Sequence, residues 1–123
     1  MKICYLNHDL KENTGAGRFC LFLIKEIQNI LPESQITVLT LEPSGHALEK
    51  PFIKTGVLGF IISYLKVRRV LKESDIIHAL DSWPYGFLAL AASLGLKKKV
   101  IITAVGSGAV APLYSWRRRF LIW

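Results

Sequence analysis

The chain has 123 residues, of which 51% are hydrophobic and 20% charged. That length builds one compact domain and not two, and the apolar share excludes a disordered chain. Sixteen Lys and Arg against nine Asp and Glu give a formal charge of +7, which points to an anionic partner (nucleic acid, acidic lipid or a phosphorylated substrate) or to a domain that is simply basic.

In chain order, Lys2 to Asn7 is a short apolar run suited to a buried strand. His8 to Gly17 is a polar loop containing glycine. Arg18 to Leu31 has helical spacing through Phe19, Phe22, Leu23, Ile27 and Ile30, and Pro32 stops it. The β-branched stretch Ile36 to Leu41 predicts a second strand. Glu42 to Thr55 carries Pro43, Gly45 and Pro51 and reads as a loop. Gly56 to Lys72 predicts a second helix, with Phe60, Tyr64, Val67 and Leu71 facing a sheet. Ile76 to Leu80 predicts a third strand and Asp81 to Gly86 a turn. Phe87 to Leu94 is a small-residue helix ended by Gly95. Lys99 to Val105 predicts a fourth strand, followed by the tight loop Gly106-Ser107-Gly108, with Pro112 at the first turn of a last helix.

Strands alternating with helices imply right-handed crossovers and a parallel sheet covered on both faces, a Rossmann-like α/β fold. Ligands in such sheets bind outside the carboxyl ends of the strands. That rule selects the loops after Asn7, Leu41, Leu80 and Val105. No stretch reaches the roughly 20 apolar residues that a membrane-spanning helix needs. The start, Met1-Lys2-Ile3-Cys4-Tyr5-Leu6, has neither the apolar run nor the cleavage site of a signal peptide. Cys4 and Cys20 lie in apolar segments without paired spacing, so they read as buried free thiols of a reducing cytosol. The segment Trp116 to Trp123 begins a helix-like pattern without a cap or polar tail, so the expectation is a domain truncated at its C-terminal end.

The loop after the first strand carries Asn13-Thr14-Gly15-Ala16-Gly17-Arg18. Two glycines let backbone approach a ligand closely, and the following helix start offers free N–H groups and partial positive charge. Together they favour a phosphate or carboxylate, and Arg18 adds a charged fork. The alternatives are a glycine turn without a ligand, or a dinucleotide site. The dinucleotide pattern G-x-G-x-x-G requires glycine where Cys20 stands, and seven residues, His8 to Thr14, separate the strand from Gly15. Glu42, at the end of the second strand, would then mimic the ribose-binding acid.

His78 and Asp81 stand at the end of the third strand, where they either contact an acceptor hydroxyl or serve as a packed histidine and a turn aspartate. His8 and Asp9 are similarly placed after the first strand. His8, His46 and His78 are too scattered for a metal site, and no metal or cofactor is expected. On the second helix, Leu58, Ile62 and Leu65 share a face that becomes basic at Arg69 and Lys72, with Lys66 and Arg68 adding charge. That face fits either the edge of an anionic membrane or the remainder of the protein. Trp116 to Trp123, with three arginines between aromatics, repeats the alternative. No helix-turn-helix, zinc or RNA-binding signature is visible, so nucleic acid is not an expected partner.

These parts, in order, resemble the N-terminal domain of the GT-B glycosyltransferases of family 4. The likeness rests on Met1-Lys2-Ile3, on Gly15-Ala16-Gly17 where that family has a glycine pair, and on Ile36-Thr37-Val38-Leu39-Thr40. It continues through Asp75-Ile76-Ile77-His78-Ala79, Pro84-Tyr85-Gly86, and Val100-Ile101-Ile102-Thr103 before Gly106. The resemblance implies transfer of a sugar from a nucleotide-sugar to a sugar or lipid-linked acceptor, in the cytoplasm or at the inner face of a membrane. It implies that Gly15 and Gly17 meet the donor diphosphate, a role that the anion-loop reading extends to Ala16 and Arg18, and it makes the strand-end residues His78, Asp81, Gly106 and Ser107 the acceptor-side candidates. It also implies that a second, C-terminal domain holds most of the donor. Where the family often has a histidine before the glycine after the fourth strand, this chain has Val105, which neither hydrogen-bonds a sugar nor relays a proton.

Overall fold

The computed structural model describes residues 1–104; Val105, Gly106, Ser107, Gly108, Pro112 and Trp116 to Trp123 lie outside the described residues. Among the described residues, five strands form one all-parallel sheet: β1 (Lys2–Asn7), β2 (Gln35–Thr40), β3 (Glu49–Lys50), β4 (Ile76–Leu80) and β5 (Lys99–Thr103), in the order β3-β2-β1-β4-β5. The helices are α1 (Gly15–Ile30), α2 (Val57–Lys72) and α3 (Phe87–Ser93), and a wide π-type turn at Ser82–Gly86 leads into α3. This is a Rossmann-like α/β fold.

Side-chain alternation divides the core into two layers. Ile3 and Tyr5 of β1, with Ile36 and Val38 of β2, pack against Cys20 and Ile24 of α1. Cys4 and Leu6, with Leu39 and Ile77, face the other way onto Val67 and Leu71 of α2 and Leu88, Ala89 and Ala92 of α3. The chain moves outward from β1 to β2 with α1 on one face. It returns across β1 to β4 with α2 on the opposite face, which keeps both crossovers the same hand. The parallel register pairs Tyr5 with Val38 on one side and with His78 on the other.

The local sequence explains where elements begin. α1 starts at Gly15 rather than Arg18, because Thr14 caps it: its Oγ1 accepts from Gly17 N at 3.0 Å. That start fixes the phase of the helix. The buried line runs through Gly17, Cys20 and Ile24, while Phe22 is 60% exposed and Ile30 also points out. Six consecutive apolar residues, Phe19 to Ile24, leave the phase open in the sequence; the anchored first turn decides it. In α2 the expected inner face holds, with Val67 and Leu71 buried and Phe60 and Tyr64 packed against the core.

β3 is a strand inside the expected loop Glu42 to Thr55. It is two residues long and pairs Glu49 with Val38 and Lys50 with Leu39, too short to show any periodicity. Glu49 also fastens this loop: Oε1 accepts from Thr40 Oγ1 at 2.7 Å, and Oε2 accepts from Ser44 N at 2.7 Å and Gly45 N at 3.0 Å. At the far side, Arg68 Nη1 donates to the carbonyls of Ala92 at 3.0 Å and Leu94 at 2.8 Å. A cation there satisfies acceptors that the end of α3 leaves open. Among the described residues, no helix is long and apolar enough to cross a membrane.

Candidate functional site

The strand order reverses between β1 and β4, and the carboxyl ends of these two strands open a crevice there. His8 follows β1 and Asp81 follows β4. Tyr85, from the turn after β4, reaches across: its hydroxyl lies 2.8 Å from His8 Nδ1. Burial holds this phenol well above its ordinary range, and the carboxylates of Asp81, Asp9 and Glu42 push it the same way. The Tyr85 hydroxyl therefore keeps its proton and stays neutral beside three acids.

Two clefts share His8, Asp81 and Tyr85 as a common wall. The larger, about 820 Å³, runs between the β4–α3 turn and the start of α2. Its lining is apolar and aromatic, with Ile53, Val57, Phe60, Ile61, Trp83 and Phe87. Phe87 anchors this wall, 5.7 Å from the Phe60 ring and 5.3 Å from Trp83. The smaller, about 420 Å³, is lined by Asn7, Gly15, Ala16 and Phe19 beside the shared residues. One site thus has a wide aromatic arm and a smaller arm of mixed lining, hinged on His8, Asp81 and Tyr85.

Asp81 has φ of 121° and ψ of 155°, a backbone conformation that side-chain-bearing residues rarely adopt. Such strain costs on the order of 1–3 kcal/mol and clusters at ligand sites. It is locked by two hydrogen bonds: Ser82 N donates to Asp81 Oδ1 at 2.8 Å, and Gly86 N donates to Asp81 O at 3.0 Å. A side chain at Gly86 would press on that same carbonyl at 3.0 Å and on Ile102 of β5 at 3.1 Å, so glycine lets the turn hold Asp81 at the crevice without either neighbour giving way.

The two glycines of the first loop do different work. A Cβ at Gly15 would meet nothing within 4 Å, and Gly15 lines the smaller arm with Ala16. Their N–H groups belong to the first turn of α1, where no intrahelical acceptor exists. Gly17 is buried and faces inward. A Cβ there would strike the carbonyl oxygen of Lys11 and come within 2.5 Å of Asp9 Oδ1. Its small size lets the loop fold under the helix. Arg18 is exposed and lines neither arm.

His78 is not at the crevice. It lies within β4, its ring 5.3 Å from that of Tyr5, with Nε2 2.7 Å from Thr103 Oγ1 of β5. Burial holds this imidazole below its ordinary value of 6.5, which favours the neutral ring. Gly106 and Ser107 lie outside the described residues. Sequence reasoning passed over Tyr85 and the aromatics Phe60, Trp83 and Phe87 as site residues; the signal for them was the cluster Trp83-Pro84-Tyr85-Gly86-Phe87 directly after a strand end.

No protein-family model matches the chain, and no curated protein sequence matches it significantly.

Proposed function

We propose that this chain is the acceptor-side domain, the N-terminal half of a GT-B architecture, of a glycosyltransferase. It would transfer a sugar from a nucleotide-sugar to a lipid-linked acceptor. The observation that carries this reading is the two-armed cleft at the strand reversal. The smaller arm joins the N-terminal turn of α1, with Gly15 and Ala16, to Asp81, and free N–H groups of that turn beside a carboxylate suit a sugar diphosphate and the hydroxyl it reacts with. The aromatic arm suits the apolar part of an amphiphilic acceptor. Under this reading Asp81 accepts a hydrogen bond from the acceptor hydroxyl, and Trp83 and Phe87 hold the lipid portion.

The aromatic arm also continues onto the surface. Val57 and Ile61 line it and belong to an exposed apolar stripe of α2 that includes Leu58 and Leu65, with Val57 81% and Leu58 77% exposed. The stripe ends at the exposed cations Arg69 and Lys72. An apolar face ending in basic residues suits an anionic membrane surface, at about 1 kcal/mol for each basic side chain near it. Arg68 is engaged with the end of α3 and adds little to that face. The reading assigns the protein to the cytoplasm, at the inner face of a membrane, where two buried thiols stay reduced.

The test is titration with a polyprenyl phosphate carried in anionic vesicles, read by tryptophan fluorescence. The expected result is a saturable change that Trp83→Ala abolishes, and that vesicles without the polyprenyl phosphate do not produce. Saturable binding of NADH with no response to the polyprenyl phosphate would make the chain a dinucleotide-binding domain and defeat the proposal.

A further inference from the structure

Beside the crevice, the side chain of Asp9 is fully buried. Its Oδ1 is well satisfied, accepting from Lys11 N at 2.8 Å and from Thr14 Oγ1 at 2.6 Å. Its Oδ2 is buried and has no hydrogen-bond partner among the described residues. A carboxylate oxygen held away from water with no donor is costly, and a bound ion is one of the reasons native structures keep such a group. Oδ2 points at His8 Nε2, 4.0 Å away, beyond hydrogen-bonding distance. On its other side the same Nε2 lies 3.5 Å from Glu42 Oε1.

We infer that His8 Nε2, Asp9 Oδ2 and Glu42 Oε1 form a binding site for a divalent cation of the zinc class. All three atoms lie within 4.8 Å of one another. Zinc bonds to nitrogen and oxygen of about 2.0–2.2 Å in tetrahedral geometry set neighbouring ligands about 3.4 Å apart. One pair already meets that separation, and a small inward movement of Asp9 and Glu42 brings in the rest. One imidazole and two carboxylates are a donor set that zinc accepts, and two negative charges balance the ion.

The surroundings orient each ligand. The Tyr85 hydroxyl at 2.8 Å engages His8 Nδ1, which directs the other ring nitrogen at the carboxylates, as outer partners of metal-bound histidines do. Lys11 Nζ, 2.9 Å from Glu42 Oε2, occupies that second oxygen and leaves Oε1 facing Nε2. Three protein ligands leave a position for water or for an oxygen of an anionic ligand. His8 is also a wall of both clefts, so that ligand would come from the crevice. The sequence expectation of no metal site rested on the spacing of the histidines and cysteines. The fold supplies a third ligand from the end of β2 that spacing does not reveal.

The experiment is calorimetric titration of the chelator-treated chain with Zn²⁺, with Co²⁺ as a spectroscopic stand-in. We expect one ion per chain and a cobalt spectrum without a thiolate charge-transfer band. Glu42→Gln, at an exposed residue, and His8→Gln should each weaken binding at least about tenfold. Asp9→Asn should do the same where circular dichroism shows it folded, and His46→Gln should leave the affinity unchanged. No binding at millimolar Zn²⁺, an affinity unchanged in Glu42→Gln and His8→Gln, or a thiolate band would each overturn the assignment.

Discussion

Replacing Gly17 by alanine should destabilise the whole domain, while the same change at Gly15 should not. The added methyl at residue 17 would overlap the Lys11 carbonyl oxygen, 2.5 Å from Asp9 Oδ1 and 2.6 Å from Lys11 N. Two of these three atoms are backbone, so the loop cannot yield by turning a side chain. Overpacking in a tight site costs about 1–3 kcal/mol. Displacing Lys11 and Asp9 also strains the Thr14 cap, worth about 1 kcal/mol more. A loss of about 2–4 kcal/mol would lower the melting temperature by about 8–16 °C, at about 4 °C per kcal/mol for a domain of this size. Gly15 has open space around it, and alanine there should leave stability unchanged or raise it by up to about 1 kcal/mol. The assay is thermal and urea unfolding followed by circular dichroism. A Gly17→Ala protein that melts with the parent would refute the packing argument. It would also return that glycine to the role of ligand-approach residue that the sequence gives it.

Other outcomes follow from the same structure. Burial raises the Cys4 and Cys20 thiols to about 12, so neither should react with a disulfide reagent at neutral pH until the protein is unfolded; rapid labelling of the native chain would contradict their burial. Because burial lowers the His78 value from 6.5, the unfolded state binds more protons just below that pH, and stability should fall as pH drops through that window. His78→Gln should flatten this part of the curve, and an unchanged slope would assign the effect elsewhere. Arg68→Ala removes both hydrogen bonds to the end of α3 and should cost about 1–3 kcal/mol in urea unfolding. A double change of Leu58 and Leu65 to Asp should leave the melting temperature in place and abolish sedimentation with anionic vesicles; retained sedimentation would remove α2 from the membrane contact.

The sequence by itself determined the alternation of elements and therefore the parallel sheet. Strands such as Ile3 to Leu6 are continuous apolar runs, and Phe60, Tyr64, Val67 and Leu71 of α2 follow a helical spacing that does face the core. Local chemistry also located the crevice, because strand ends can be read from Asn7 and Leu80 without knowing their partners. It did not fix the phase of α1, where apolar residues occur on every side and one capped turn chooses between them. It did not reveal β3, whose existence depends on Val38 and Leu39 offering an edge. The site shows the same division. Gly15 and Asp81 could be picked out by position, but the structure alone separates Gly17 from Gly15, because that distinction is a collision with Lys11 and Asp9 across the loop. His78 sits within β4 facing Tyr5, a placement that strand pairing sets and residue type does not. The meeting of His8, Asp9, Glu42 and Tyr85 joins residues up to 77 positions apart, and only the parallel pairing of β1 with β2 and β4 brings them to one edge.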